Sequence, residues 1–175
     1  IMKLTLAIER HVHQGKALLT QAVGDRQLVI TPPAAPLTTE ELDELYSLPF
    51  TRQPHPLYKE PIPALDMIRF SVTSHRGCAG GCSFCSLALH QGRKIRSRSE
   101  ESLTLEVATL ANHAEFKGSI TDVGGPTANM WGAECSAPEE HVCKRPSCLV
   151  PQPCPYFKAN QRAIMALLRR IANLP

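Results

Sequence analysis

The chain has 175 residues, 43% hydrophobic and 20% charged, which are ordinary proportions for a soluble globular protein with a core of its own. Its formal charge of +3 permits an anionic partner without demanding one, and simple solubility is the plain reading. No run of about 18 apolar residues is present to span a membrane, and residues 1–15 lack the long apolar centre of a secretory signal.

In chain order, residues 16–31 hold two apolar runs around Gly24–Asp25, which predicts a hairpin. Residues 31–63 carry Pro32, Pro33, Pro36, Pro49, Pro54, Pro56, Pro61 and Pro63, so most of that stretch must be extended or turning. Within it, Thr38 and Glu41 form a capping-box pattern, and Leu42, Leu45 and Tyr46 share one face of a short helix. Residues 1–63 are therefore expected to be an irregular lead-in that packs on a core portion, 64–175.

Residues 67–73 alternate Ile68, Phe70 and Val72 with Arg69, Ser71 and Thr73, as a strand does. A cysteine loop follows at once. Ser97 and Glu100 then make a second capping box, and Leu103, Val107, Leu110, Ala111 and Ala114 fall along one helical face. Residues 118–123 read as a second strand ending in Gly124–Gly125–Pro126. After a cysteine- and proline-rich insertion, Ile164, Leu167, Leu168 and Ile171 mark another amphipathic helix. Strands alternating with helices imply a parallel α/β sheet with right-handed crossovers. Two strands can neither close a barrel nor bury both sheet faces. The opening on Ile1 and the stop just after a helical pattern read as cuts through a longer protein, so the isolated segment is expected to be poorly stable.

Seven cysteines are an odd number for a disulfide framework. They fall into two groups, at 78–85 and 135–154, and clustering suits metal ligation; a reducing cytoplasm is the default compartment. Cys78, Cys82 and Cys85 share one loop. Structural zinc takes four protein ligands, usually as separated pairs. A [4Fe–4S] cube ordinarily takes four cysteines, so three would leave one iron open to another ligand. Gly77, Gly80 and Gly81 allow the loop to wrap closely. Its place after a strand is the rim where α/β sheets bind ligands. Zinc and purely structural cysteines stand as the rival readings.

Cys78-x3-Cys82-x2-Cys85, with Phe84 before the third cysteine, resembles the signature of radical S-adenosylmethionine (SAM) enzymes. In order, "PPAAPLTTEELDELYSLPFTR", "HRGCAGGCSFCSLALHQGR", "SRSEES", "DVGGPTANM" and "RPSC" resemble the YgiQ-type radical SAM proteins, across residues 32–175. The resemblance implies the N-terminal part of a partial (β/α) barrel, truncated in its later strands. It implies a [4Fe–4S] cluster on Cys78, Cys82 and Cys85, with SAM chelating the open iron. An electron from a donor such as a flavodoxin or ferredoxin would cleave SAM to a 5′-deoxyadenosyl radical, which acts on an unidentified substrate. Catalytic residues are not assigned, and the segment alone is expected to be inactive.

The resemblance also implies that Gly124 and Gly125 meet the SAM amino group through backbone. Pro126 stands where many superfamily members carry an acidic residue, so only the backbone role transfers; a sharp strand-ending turn is the alternative. Phe84 resembles the residue whose backbone meets the adenine, and core packing of its ring is an equal reading.

Beside the loop lie His90, Arg93, Lys94, Arg96 and Arg98, a basic patch suited to an anionic substrate, a nucleic acid or a reductase. A solvated face is the plainer reading, and no stacking aromatics interleave the patch as in single-strand binders. Cys135, Cys143, Cys148 and Cys154 sit among Pro138, Pro146, Pro151, Pro153 and Pro155. Four soft ligands suit a second cluster or a structural zinc; free cysteines are the rival reading, and His141 is a spare ligand. The alternative function is a non-catalytic zinc- or iron–sulfur-stabilised binding module, with RNA as its partner.

Overall fold

The computed structural model describes residues 3, 5–8, 11, 16–125, 129–138, 140, 141 and 143–174. Pro126 lies outside the described residues. The expected hairpin forms from β1 (Leu19–Val23) and β2 (Arg26–Ile30), antiparallel, with Val23 opposite Arg26. Gly24 and Asp25 are thus a two-residue turn. Gly24 takes φ +60°, as the first position of a turn that follows the twist of its strands requires. Both strands are almost wholly exposed, so their own ladder holds them.

Helix α1 (Thr39–Tyr46) starts where the capping box was expected. Thr38 Oγ1 accepts from the Glu41 amide at 3.2 Å, and the Glu41 carboxylate accepts from the Thr38 amide at 2.7 Å. Leu42 alone of the predicted face is buried; Leu45 is exposed, and the Tyr46 ring lies under a guanidinium instead. The predicted strand 67–73 is shorter than its alternation suggested. Residues 65–68 wind into the helical turn α2 (Leu65–Ile68), and β3 is Ser71–Thr73. The turn closes through Arg69 N–H to Leu65 C=O at 2.8 Å.

Next come β4 (His75–Arg76), α3 (Leu87–Gln91) and β5 (Arg96–Ser97), with β4 and β5 antiparallel. Helix α4 (Glu100–Ala111) is capped by Ser99, whose Oγ accepts from the Ser102 amide at 3.0 Å. Ser97, the expected cap, is held in β5 and its Oγ accepts from the Gly132 amide at 2.9 Å. The chain then forms β6 (Asp122–Gly124), which pairs in parallel with β3 in the register Ser71–Asp122, Val72–Val123 and Thr73–Gly124. This is the predicted βαβ unit.

Its packed face is the main core. Val72 meets Leu103, Val107 and Leu110 of α4 and Ile164 and Leu167 of α5 (Gln161–Ala172), with Val123 and Ile171 packed at the edge. Of the predicted faces, Leu168 and Ala111 stay exposed and Ala114 lies beyond the end of α4. The insertion contributes β7 (Glu134–Cys135) paired antiparallel with β8 (Phe157–Lys158). A mixed α/β architecture therefore stands, with β3 and β6 as a two-stranded parallel sheet among the described residues.

The edge of β3 is closed by arginines. Arg52 donates to the carbonyls of Arg69 at 2.7 Å and Ser71 at 2.9 Å, and Arg98 donates to that of Thr73 at 3.0 Å. Both guanidiniums also pair with the Glu106 carboxylate on α4. These bonds tie residues before 63 to β3 and α4. Arg69 and Gln53 add bonds to Glu115, and together they hold its carboxyl below the ordinary range, the Gln53 bond contributing most. Between α1, the residues after it and the strand β3 lies a groove of about 510 Å³.

Candidate metal centre

The first cysteine group occupies a loop, 77–95, whose base is closed by the pairs His75–Ser97 and Arg76–Arg96. Backbone bonds tighten it above that base: Cys78 N–H donates to Gly92 C=O at 3.0 Å, and Gly77 N–H to the Gln91 side-chain oxygen at 3.3 Å. Gly77 has φ +87°, and a Cβ there would lie 2.3 Å from the Lys94 carbonyl oxygen, so glycine is required. Cys78 is buried, Cys85 half-buried and Cys82 exposed.

Two of the three sulfurs come to one place. A Cβ built on Gly80 would lie 3.4 Å from Cys78 Sγ and 3.6 Å from Cys82 Sγ, and the Gly80 amide points at Cys78 Sγ from 3.4 Å. The missing side chain leaves a cradle flanked by both thiols. Cys85 follows one turn on, its amide bonded to Cys82 C=O at 3.1 Å. Among the described residues, no group of three or more His, Cys, Asp or Glu side chains is gathered to hold a metal ion. A four-iron cube spreads its thiolates wider than one ion does. Three thiols along a glycine-rich loop, two of them facing a cradle, fit such a group.

The glycine turn after β6 reaches the base of this loop. Ser74 N–H donates to Gly124 C=O at 2.6 Å, and a Cβ on Gly125 would lie 2.1 Å from Nε2 of the fully buried His75. The structure thus supplies its own reason for glycine at 125: an imidazole occupies the space. His75 Nδ1 is in turn 2.9 Å from Ser74 Oγ. The Asp122 carboxylate lies over Gly124, 3.3 Å from where its Cβ would be. Phe84 is 91% exposed, which removes core packing as the role of its ring.

The basic patch divides. Arg98, read as part of a solvated face or an anion-binding surface, is 2% exposed. Its guanidinium binds Ser102, Thr73 and Glu106 and stacks 4.1 Å from the Tyr46 ring. The Arg98 carbonyl accepts from Trp131 Nε1 at 2.9 Å. His90 and Lys94 are exposed, and Arg93 and Arg96 are half-buried. The roles of Arg98, Glu106 and His75 carried no signal in the sequence beyond residue type, because each depends on partners far away along the chain.

The second cysteine group docks on the first. Cys148 N–H donates to Ala79 C=O at 2.9 Å, and Cys154 N–H donates to Cys148 C=O at 2.7 Å. Cys78, Ala79 and Cys148 share one apolar cluster with Ile95, Met130 and Ala133. Burial pushes the Cys148 thiol up, Arg93 opposes that rise, and nearby Cys154, Cys143 and Cys135 add to it. His141, the spare ligand, packs its ring 5.0 Å from that of Tyr156.

Comparison with known proteins relates this chain to a family. The family model "Radical SAM N-terminal" matches residues 2–71. A UPF0313 protein of Geobacter sulfurreducens is 54% identical over 154 residues, 87% of this chain and 26% of the relative. One from Methanocella arvoryzae is 50% identical over 149 residues, 85% of this chain and 25% of the relative. The UPF0313 protein YgiQ of Escherichia coli K12 is 48% identical over 159 residues, 89% of this chain and 22% of the relative. The relationship of this chain to the YgiQ-type UPF0313 family is therefore shown over nearly its whole length. The chain spans about a quarter of the length of the first two of these relatives. No helix of the described residues is long and apolar enough to cross a membrane.

Proposed function

We propose that this chain is the cluster-bearing part of a radical SAM enzyme, the first portion of a partial (β/α) barrel working in the cytoplasm. The observation that carries the reading is the cradle at Gly80, flanked by Cys78 and Cys82, in the loop that follows β3 and β4. Cys78, Cys82 and Cys85 would hold a [4Fe–4S] cluster. When bound, that cluster with SAM on its open iron supplies a 5′-deoxyadenosyl radical by one-electron reductive cleavage.

The chain's own residues bind and orient. The Gly80 amide donates to Cys78 Sγ and fixes its direction. Gly77, locked against Lys94, keeps the loop in one curvature, with Cys78 and Cys82 flanking the Gly80 cradle. Gly124 and Gly125 end the neighbouring parallel strand on the same side of the sheet, where their backbone groups can meet the SAM amino group. Phe84, exposed beside Cys85, lies open to the adenine. His90 and Lys94, exposed on the far arm of the loop, offer positive charge to an acidic electron donor such as a flavodoxin or ferredoxin. The burial of Arg98 takes one cation from the patch on which an RNA-binding module would rely.

The test is anaerobic iron and sulfide analysis of the intact protein, combined with an assay for SAM-dependent 5′-deoxyadenosine. About four irons should be bound at this loop and lost on Cys82→Ala, with deoxyadenosine formation lost in step. Zinc at this loop, with no reductive cleavage of SAM, would refute the reading.

A further inference from the structure

We propose that the groove of about 510 Å³ beside α1 and β3 binds a soluble, amphipathic small-molecule anion. Its phosphate or carboxylate group sits on Arg76 and Arg96, and its apolar body lies along the leucines that line the groove.

The anion end follows from strand register. In the antiparallel pair β4–β5, Arg76 stands directly opposite Arg96, and His75 opposite Ser97. Side chains directly opposite share a face, so the ladder sets two like charges roughly 5 Å apart at Cβ, which is unfavourable by itself. The shared face is the one toward the groove. Arg76 lines the groove, and its guanidinium lies 5.8 Å from the Tyr46 ring. Arg98, two residues after Arg96, approaches the same ring at 4.1 Å. His75 and Ser97 take the opposite face, toward Gly125 and Gly132.

Positive charge here exceeds its compensation. Glu106 is the carboxylate of the groove lining, and it is already shared between Arg52 and Arg98. Among the described residues, neither Arg76 nor Arg96 has an ion-pair partner. Donors are left over as well: Arg96 Nε and Tyr46 Oη are buried, and neither has a hydrogen-bond partner among the described residues. A buried donor without a partner is costly, more so when it is charged. An anion with several acceptor oxygens answers two guanidiniums and a hydroxyl at once.

The other end is apolar. Leu37, Leu45, Leu48 and Phe50 line the groove and are exposed, and Leu42 beside them is buried. A cleft of this volume, mostly apolar with a few polar groups at one end, suits a small molecule. A net charge of only +3 gives little hold on an anionic bilayer, which favours a soluble ligand. Arg76 is two residues before Cys78, so the ligand would lie against the base of the cysteine loop, but the inference does not rest on a metal there.

The experiment is a calorimetric titration of the intact protein with octyl phosphate below its micellar range, beside inorganic phosphate and octanol. Octyl phosphate should bind about tenfold or more tighter than either fragment. Arg76→Gln/Arg96→Gln should weaken it by about tenfold or more, and Leu45→Asp should weaken it as well. Because the two arginines repel, the ligand-free double variant should resist urea at least as well as the native protein. A purely structural pair would give the reverse, lower stability with unaltered affinity, and would overturn the proposal. Should the double variant fail to fold, Tyr46→Phe, which removes only the hydroxyl, carries the same comparison. No binding of octyl phosphate, equal binding of octanol, or binding to anionic phospholipid vesicles alone also overturns it. The titration needs no iron and should give the same result in Cys82→Ala, so its failure is separate from failure of the metal centre.

Discussion

Gly125 shows how a residue can be required for a reason other than the one its motif suggests. A glycine at a strand end is expected where a ligand or a sharp turn needs close backbone approach. Here the neighbour is the His75 imidazole, 2.1 Å from where a Cβ would stand, and His75 is fully buried. Gly125→Ala should therefore overpack the site and destabilise the protein by about 1–3 kcal/mol. Chemical denaturation of the intact protein checks this; a loss below about 0.5 kcal/mol would mean that the ring moves aside without cost. Cys78 differs in kind from Cys82 and Cys85. Its burial and the Gly80 amide were not readable from the spacing, whereas the grouping of the three thiols was.

Helix α4 joins the two parallel strands and supplies half of the buried residues of the main core. Its start is set by Ser99, whose side chain bonds the Ser102 amide, and its inward face by Leu103, Val107 and Leu110. Both features are local, so the sequence shows them, although two serines compete for the cap. Ser97 loses because β4 pairs with it. Ser99→Ala should cost about 1 kcal/mol. Leu103→Ala empties a fully buried position between sheet and helices and should cost about 2–5 kcal/mol. Urea titrations of the two variants should return that order; equal losses would show that the cap, rather than the packed face, fixes α4.

Across the whole molecule, one carboxylate ties the parts together. Glu106 pairs with Arg52 from the lead-in and with Arg98, just after the strand that closes the cysteine loop. Arg98 is almost entirely buried and also spans Thr73, Ser102 and Tyr46. Removing the shared carboxylate leaves buried positive charge uncompensated, so Glu106→Ala should destabilise the protein by about 3–5 kcal/mol. Limited proteolysis of the same variant should cut the lead-in near residues 47–60 sooner than in the native protein. Native-like resistance there would show that the lead-in docks through α1 alone.

By itself the sequence determined what depends on near neighbours. The Gly24–Asp25 hairpin, the Thr38 capping box, the inward faces of α4 and α5, and the three thiols in one loop all follow from spacings of a few residues, where turn chemistry and helical period act. Tertiary structure alone decided which surfaces meet. It took Arg98 out of solvent, filled the space over Gly125 with His75, and set Cys148 on Ala79 with Gly81 beneath Pro146. Those outcomes join residues that lie tens of positions apart. No local preference encodes them, because burial and close approach are properties of the assembled fold.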